Sequence, residues 1–210
     1  MQTTVHADAE VAGPLLSRMF LPIDVLVSLA GRTGGERANV AATEPPAVAG
    51  YETWRWATRF LREEETLREL GWELCEADQV YGIRHPKLGI KLVACTTDAN
   101  TGTEKSPRNV TEKGPASRRL IARNSGQMSL FAEEEKQEDE PKDQLWYFCL
   151  HMSEKHIAIE VSRPDSEVDG MIVHFSDRII VAPPGVVPGI RKTSVPEEFA
   201  DLPKPQVTRK

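Results

Sequence analysis

Side chains that could bind a metal ion recur in the second half of the chain. His156 and Glu160 lie on one face of a strand-like stretch. His151, His174 and Asp177 could approach them in a sheet, and imidazole and carboxylate groups are ligands for transition metals. Polar residues on one face of a half-buried strand are more often its solvent-exposed side. We therefore expect neither a metal nor another cofactor.

Catalytic signatures are otherwise missing from the sequence. Glu160 is followed by Val161 and Ser162, so the carboxylate-x-lysine pattern of many restriction-type nucleases is absent. The chain has no phosphate-binding glycine loop of the Walker or dinucleotide type, and no Ser-His-Asp or Cys-His arrangement is legible. We therefore favour a protein that is not an enzyme.

A short apolar peptide stands in the most charged part of the sequence. Residues 105–123 carry six basic side chains and one acidic side chain, whereas six of the eight residues in 133–140 are acidic. Between these runs lies the pentapeptide Gln127-Met128-Ser129-Leu130-Phe131. Large apolar side chains isolated in a solvated segment either pack on their own domain or anchor another protein.

The peptide resembles the motif by which bacterial polymerases, mismatch-repair proteins and replication initiators bind the DNA sliding clamp. That motif is Gln, usually Leu, then Ser or Asp, then Leu-Phe. The resemblance covers five residues of 210, departs only at Met128, and implies nothing about the fold. It implies that Leu130 and Phe131 are an anchor pair for a hydrophobic pocket. Gln127 would form hydrogen bonds at the pocket rim, and the small Ser129 would bridge the anchoring regions.

The basic residues before the peptide have two interpretations. They could contact the phosphates of DNA beside a clamp, which would give salt-sensitive and sequence-independent affinity. They could instead form a solvated linker that pairs loosely with the acidic run. These residues are Lys105, Arg108, Lys113, Arg118, Arg119 and Arg123.

The composition limits the partners and the compartment. A net charge of −6 argues against a protein that coats nucleic acid over its whole surface. The cysteines Cys75, Cys95 and Cys149 occur singly, so we expect buried reduced thiols rather than disulfides or a zinc site. The most apolar amino-terminal stretch, 15–30, is interrupted by charged residues and a proline. We therefore expect a cytoplasmic protein without membrane contact.

Helical spacing predicts the elements of the first third. Apolar residues near the amino terminus predict one or two short helices, which a group of glycines would end. A linker at 36–50 follows, and 51–70 is the strongest amphipathic helix, with a left-handed cap at Gly71. We expect Trp54 and Trp56 to anchor this helix on a sheet rather than to stack on bases.

After this helix the apolar period changes to two, which predicts strands. They are expected at 72–81, 89–97, 145–151, 156–161, 171–175 and 178–181. Since the pattern places no helix between them, it favours an α+β fold with a helix packed on an antiparallel sheet of about six strands. The charged segment 98–143 is expected to be a long disordered insertion.

These elements predict three parts and a function. The parts are a small helical region with a linker at 1–50, an α+β domain at 51–182, and an irregular proline-rich tail at 183–210. We expect a DNA-replication or repair accessory protein, or a plasmid- or phage-encoded protein, that binds the sliding clamp and contacts DNA nonspecifically. One alternative is a clamp-recruited DNA-processing enzyme such as a nuclease. Another is a module that binds a host protein and matches the motif by accident.

Overall fold

One mixed sheet organises the chain. The computed structural model describes residues 2–40, 43–76, 80–126 and 143–188. In chain order these hold β1 (Thr4–His6), α1 (Ala9–Arg18), α2 (Ile23–Ala38), α3 (Pro46–Glu63), α4 (Glu65–Glu69), β2 (Glu73–Cys75), β3 (Gly82–His85), β4 (Ile90–Thr96), α5 (Pro115–Asn124), β5 (Gln144–Met152), β6 (His156–Val168) and β7 (Met171–Pro188). The strand order is β1-β7-β6-β5-β4-β3-β2. The predicted α+β organisation is confirmed.

The predicted antiparallel arrangement with six strands is wrong. β4 and β5 are parallel, with Ile90 opposite Gln144 and Thr96 opposite Leu150. β1 is parallel to β7, and the other neighbouring strands are antiparallel. The physical reason is α5, which lies between β4 and β5 in the chain and supplies the crossover that parallel neighbours require.

Helices cover both faces of the sheet. On one face, α1, α2 and α3 share a core with the strands, in which Leu16 and Leu29 join Phe148. On the other face, α5 buries Leu120 and Ile121 against β5 and β6. The central strand β5 is consequently buried along most of its length, as expected for a strand covered on both sides.

The helices differ from the prediction at their ends. α2 continues through the glycines to Ala38, because packing of its buried face, which includes Thr33 and Gly34, outweighs the weak helix propensity of glycine. α3 starts at Pro46, inside the predicted linker, and ends at Glu63. The left-handed conformation predicted at Gly71 is confirmed, with a φ of 96°. Within the described residues no single helix is long and apolar enough to cross a bilayer, although α1 and α2, bent by 92°, reach that length and composition as a pair.

The strands also differ in detail. The predicted strand 72–81 is two strands, β2 and β3, and β7 continues through Ser176 and Asp177, where the sequence predicts a break. β6 and β7 are joined at Asp169-Gly170, whose φ values are 50° and 79°. Positive φ at both residues is the type I′ hairpin turn, for which Asp-Gly is a strong signal.

Residues 98–126 are ordered, so the predicted disorder of 98–143 is wrong for this part. Buried polar groups of the sheet hold the backbone of the loop before α5. The guanidinium of Arg178 donates to the carbonyls of Thr103 at 3.0 Å and Glu104 at 3.4 Å. The carboxylate of Glu160 accepts from the amide of Gly102 at 2.8 Å. The composition of this segment does not reveal its order, because Glu160 and Arg178 are more than fifty positions away from the loop in sequence.

Asn109 fixes the same loop to the β6–β7 hairpin. Its side-chain amide donates to the carbonyls of Thr111 at 2.7 Å and Gly170 at 2.9 Å. Its oxygen accepts from the amide of Ile172 at 2.7 Å. The loop therefore delivers α5 to a fixed place on the sheet.

Candidate functional site

The predicted clamp-binding peptide, 127–131, lies outside the described residues. The residues on both sides of 127–142 are described, and the side chain of Asn124 connects them. Its side chain donates to the carbonyls of Leu145 and Pro164, each at 2.7 Å, and accepts from the amide of Leu145 at 3.0 Å. The chain therefore leaves α5 and enters β5 at one place on the sheet.

The six predicted phosphate-contacting residues do not form one strip of free cations. The Nε of Arg118 pairs with Glu167 at 2.8 Å, and the ammonium of Lys113 lies 5.1 Å from the ring centroid of Tyr147. The remaining four are exposed and have no ion-pair partner within the described part of the chain: Lys105, Arg108, Arg119 and Arg123. Contact of these residues with DNA stays a prediction.

The structure brings His151 and His156 together, with ring centroids 6.0 Å apart, but the other residues considered for a metal site have partners elsewhere. His151 contacts the carbonyl of Thr97, and His174 pairs with Asp165 at 2.6 Å. Asp177 pairs with Arg163 at 3.2 Å. Within residues 2–40, 43–76, 80–126 and 143–188, no three His, Cys, Asp or Glu side chains are placed to share a metal ion.

Glu160 lies on neither a solvent face nor a metal site. It is completely buried and forms a two-point ion pair with Arg178, at 2.7 and 3.0 Å. The hydroxyl of Ser162 donates to the same carboxylate at 2.7 Å. Both oxygens of this carboxylate are hydrogen-bonded inside the protein, so Glu160 has a structural role.

A cavity of about 500 Å³ lies between the first turns of α3 and α5, beside β4. We call it the α3–α5 cavity. One side is apolar and aromatic, formed by Tyr51, Trp54, Tyr81, Val80 and Val93. Tyr51 and Trp54 are 57% and 37% exposed, with ring centroids 5.9 Å apart. The expectation that Trp54 anchors α3 in the core is therefore wrong, whereas Trp56 does pack against that core.

A polar side of the α3–α5 cavity lies at the amino terminus of α5. Gly114 is the N-cap residue and provides no side-chain cap, so the amides of Ala116 and Ser117 lack intrahelical partners. Lys113, directly before the cap, lines the cavity with Tyr147. This side combines a cation with the positive end of a helix dipole.

The hydroxyl of Tyr147 is buried without a hydrogen-bond partner in the described structure. The side chain is 1% exposed and lines the cavity, and its hydroxyl lies toward Ser117 without reaching hydrogen-bond geometry. Burial raises the pKa of Tyr147 well above its ordinary value, so this group is a neutral hydrogen-bond donor. An unpaired buried hydroxyl costs about 1–3 kcal/mol.

A second cavity of about 410 Å³ adjoins the first and shares Trp54 and Tyr81 with it. We call it the arginine groove, because Arg55, Arg59, Arg62 and Arg68 line it. Three of these arginines form exposed ion pairs, with Glu52, Glu63 and Glu76. Thr58, which is 8% exposed, also lines the groove, and its hydroxyl has no partner within the described residues.

The three cysteines are buried and free, as predicted. Cys95 and Cys149 are direct neighbours in the parallel β4–β5 pair. A hydrogen bond from Cys149, together with the nearby ammonium of Lys113, lowers the pKa of Cys95 to about 6. Burial raises the pKa of Cys149.

Sequence reasoning missed this pair of cavities. Their residues come from α3, α4, β2, the stretch before β3, β4, the loop before α5, the first turn of α5, and β5, which are distant in sequence. One signal was legible: Gly114-Pro115 after a basic residue is typical of a helix start without a side-chain cap. That signal is weak without the partner strand that carries Tyr147.

Comparisons with known proteins add no relative. The chain matches no protein-family model, no curated protein and no solved structure. Its function must therefore be inferred from the peptide at 127–131 and from the geometry of the described residues.

Proposed function

We propose that this protein is a DNA-replication or repair accessory protein, or a plasmid- or phage-encoded protein, that binds the bacterial sliding clamp. The observation that carries the proposal is the pentapeptide Gln127–Phe131. Leu130 and Phe131 supply two adjacent large apolar groups of the kind that dominate binding energy in a pocket. Gln127 supplies two donors and an acceptor for orientation. Met128 replaces the usual leucine at similar volume.

The flanks of the peptide segment support this proposal. Asn124 holds both ends of the segment at one place on the sheet. A partner could therefore engage residues 127–131 without disturbing the pairing of β4 with β5. Restriction of both ends also lowers the chain entropy that is lost on binding.

The exposed cations of α5 support contact with DNA beside the clamp. Arg119 and Arg123 are one helical turn apart on the helix that leads into the peptide segment, and both are exposed. A clamp encircles DNA, so a protein docked on it lies near phosphates. Such contacts are independent of sequence and weaken steeply as salt is added.

Calorimetric titration of purified clamp with the full-length protein tests the proposal. We expect micromolar affinity, about 7–8 kcal/mol, for a short linear peptide. Leu130→Ala and Phe131→Ala should each weaken binding by about 2 kcal/mol or more, which is roughly thirtyfold. Gln127→Ala should weaken binding by about 1 kcal/mol, because it removes hydrogen bonds but no apolar anchor. Met128→Leu should be neutral or slightly tightening.

The matched control is Glu134→Ala, which removes a side chain from the same segment without touching an anchor. It should change the affinity by less than about twofold. The melting temperatures of all these variants should equal that of the wild type. Absence of binding at high micromolar concentration would contradict the proposal. A lower melting temperature for the Leu130→Ala or Phe131→Ala variant would show instead that the peptide packs on its own domain.

A further inference from the structure

We propose that the α3–α5 cavity binds a nucleotide, with its phosphate at the amino terminus of α5 and its base against Tyr51 and Trp54. This proposal does not depend on the clamp peptide. It rests on described residues that lie at the opposite end of α5 from the peptide segment. The ten residues of α5 separate the two ends by about 15 Å.

The phosphate position follows from three groups that favour an anion. The ammonium of Lys113 lines the cavity, and the first turn of α5 turns the unpaired amides of Ala116 and Ser117 toward the same end. Helix amino termini bind phosphates through such amides and through the helix dipole. Among the described lining residues Glu112 is the only carboxylate, and it is exposed, so solvent and salt screen its repulsion.

The hydroxyl of Tyr147 is the independent sign that a ligand belongs here. It is fully buried beside this anion-binding end and has no hydrogen-bond partner among the described residues. A neutral phenol donates a hydrogen bond readily to a phosphate oxygen. A bound phosphate would therefore pair a donor that the protein alone leaves unpaired.

The base position follows from exposed aromatic side chains that also line the cavity. Tyr51, Trp54 and Tyr81 are 57%, 37% and 44% exposed, although aromatic rings of this size are usually buried. Base–aromatic stacking contributes about 1–3 kcal/mol per base by alanine substitution. The cavity volume of about 500 Å³ lies within the range of small-molecule sites.

The nucleotide could be free or part of a single strand of nucleic acid. The arginine groove continues from the cavity past Trp54 and Tyr81, and guanidinium groups bind phosphates well. Their glutamate partners form exposed ion pairs of small net stability, which a phosphodiester can replace. Tighter binding of an oligonucleotide than of a mononucleotide would identify a strand as the source, and equal affinities would identify a free nucleotide.

The experiment titrates the full-length protein with thymidine monophosphate and, separately, with a 5′-phosphorylated oligothymidylate, followed by calorimetry and tryptophan fluorescence. Lys113→Met should weaken binding of both by about tenfold or more, because it removes a charge-assisted contact. Lys87→Met, at an exposed lysine of the β3–β4 turn, is the matched control and should change affinity by less than about twofold. Glu112→Gln should tighten binding.

Tyr147→Phe separates a binding role from a structural one. It removes only the hydroxyl, which has no partner in the described structure, so the melting temperature of the free protein should stay equal or rise. Nucleotide affinity should fall severalfold in the same variant. The proposal is overturned if neither probe binds at millimolar concentration, if Lys113→Met binds as tightly as wild type, or if Tyr147→Phe lowers the melting temperature.

The two proposals fail independently. The Leu130→Ala, Phe131→Ala double variant should lose the clamp and keep its nucleotide affinity. Lys113→Met should bind the nucleotide about tenfold or more weakly and keep its affinity for a clamp free of DNA. Loss of nucleotide binding in the peptide variant would overturn the assignment of the nucleotide to the α3–α5 cavity.

Discussion

The buried ion pair between Glu160 and Arg178 should be the most sensitive polar contact in the protein. Both side chains are almost wholly inaccessible, at 0% and 1% exposure. Arg178→Met would leave the carboxylate of Glu160 buried with two donors, the amide of Gly102 and the hydroxyl of Ser162, and no positive charge. Removal of one partner of a buried ion pair costs about 3–5 kcal/mol. A domain of ordinary stability has only about 5–15 kcal/mol in total.

The double variant Glu160→Met, Arg178→Met should recover part of this loss. Replacing both charges by apolar groups removes the unpaired carboxylate, and such replacements are often neutral in themselves. Here the pair also holds the backbone of the loop before α5, at Gly102, Thr103 and Glu104. Backbone groups left unpaired there would keep the double variant about 1–3 kcal/mol less stable than wild type.

Urea unfolding and amide hydrogen exchange measure both parts of this prediction. Arg163→Met is the control, since Arg163 pairs with Asp177 on the same two strands but at a half-exposed position. It should cost about 1 kcal/mol or less. In Arg178→Met, the amides of residues 101–109 should exchange faster than the strand amides. A loss of less than about 1 kcal/mol with unchanged exchange would refute the view that this pair orders the loop.

Two further predictions concern single sites. Gly170→Ala should destabilise the protein by about 1–3 kcal/mol, because φ is +79° and a Cβ would lie 2.9 Å from the backbone of Lys113. Gly31→Ala, inside α2 with open space around it, should stabilise the protein by about 0.5–1 kcal/mol in the same unfolding assay. The pKa of Cys95, at about 6, lies below its ordinary value of 9.0, so the folded state favours the thiolate. The contribution of Cys95 to the free energy of unfolding should therefore grow from pH 6 to pH 9 and be lost as the pH falls through 6. Lys113→Met should raise that pKa in a thiolate-absorbance titration, and an unchanged pKa would contradict the role of the ammonium.

The sequence predicts local elements better than their arrangement. The amphipathic face of α3, the left-handed Gly71 and the strand character of β5 and β6 are set by neighbouring residues, and the sequence predicted these features. The sequence did not predict the parallel pairing of β4 and β5, because α5 has only two buried apolar residues, Leu120 and Ile121, among basic ones. A helix with so narrow an apolar stripe resembles a charged linker in sequence.

The candidate site was harder to predict than the fold. Trp54 and Trp56 are two positions apart on one helix, and sequence alone favours the core for both. The helix turns them about 200° apart, so one packs on the core while the other is exposed at two cavities. Lys113 was predicted as a DNA phosphate contact or as part of a solvated linker, but the β6–β7 turn fixes its backbone through the carbonyl of Gly170, at 2.8 Å. Long-range contacts of this kind decide which charged residues form a site.

The two proposals concern opposite ends of α5. Its amino terminus forms the phosphate side of the α3–α5 cavity, and Asn124 near its carboxyl terminus holds the flanks of the peptide segment. Two weak binding sites on one chain reinforce each other when their ligands are themselves linked, because the second contact then forms at high effective concentration. A clamp and the DNA within it are linked in this way. If the nucleotide belongs to a strand of DNA, weak affinity at each site would therefore suffice for selective binding to a clamp that is loaded on DNA.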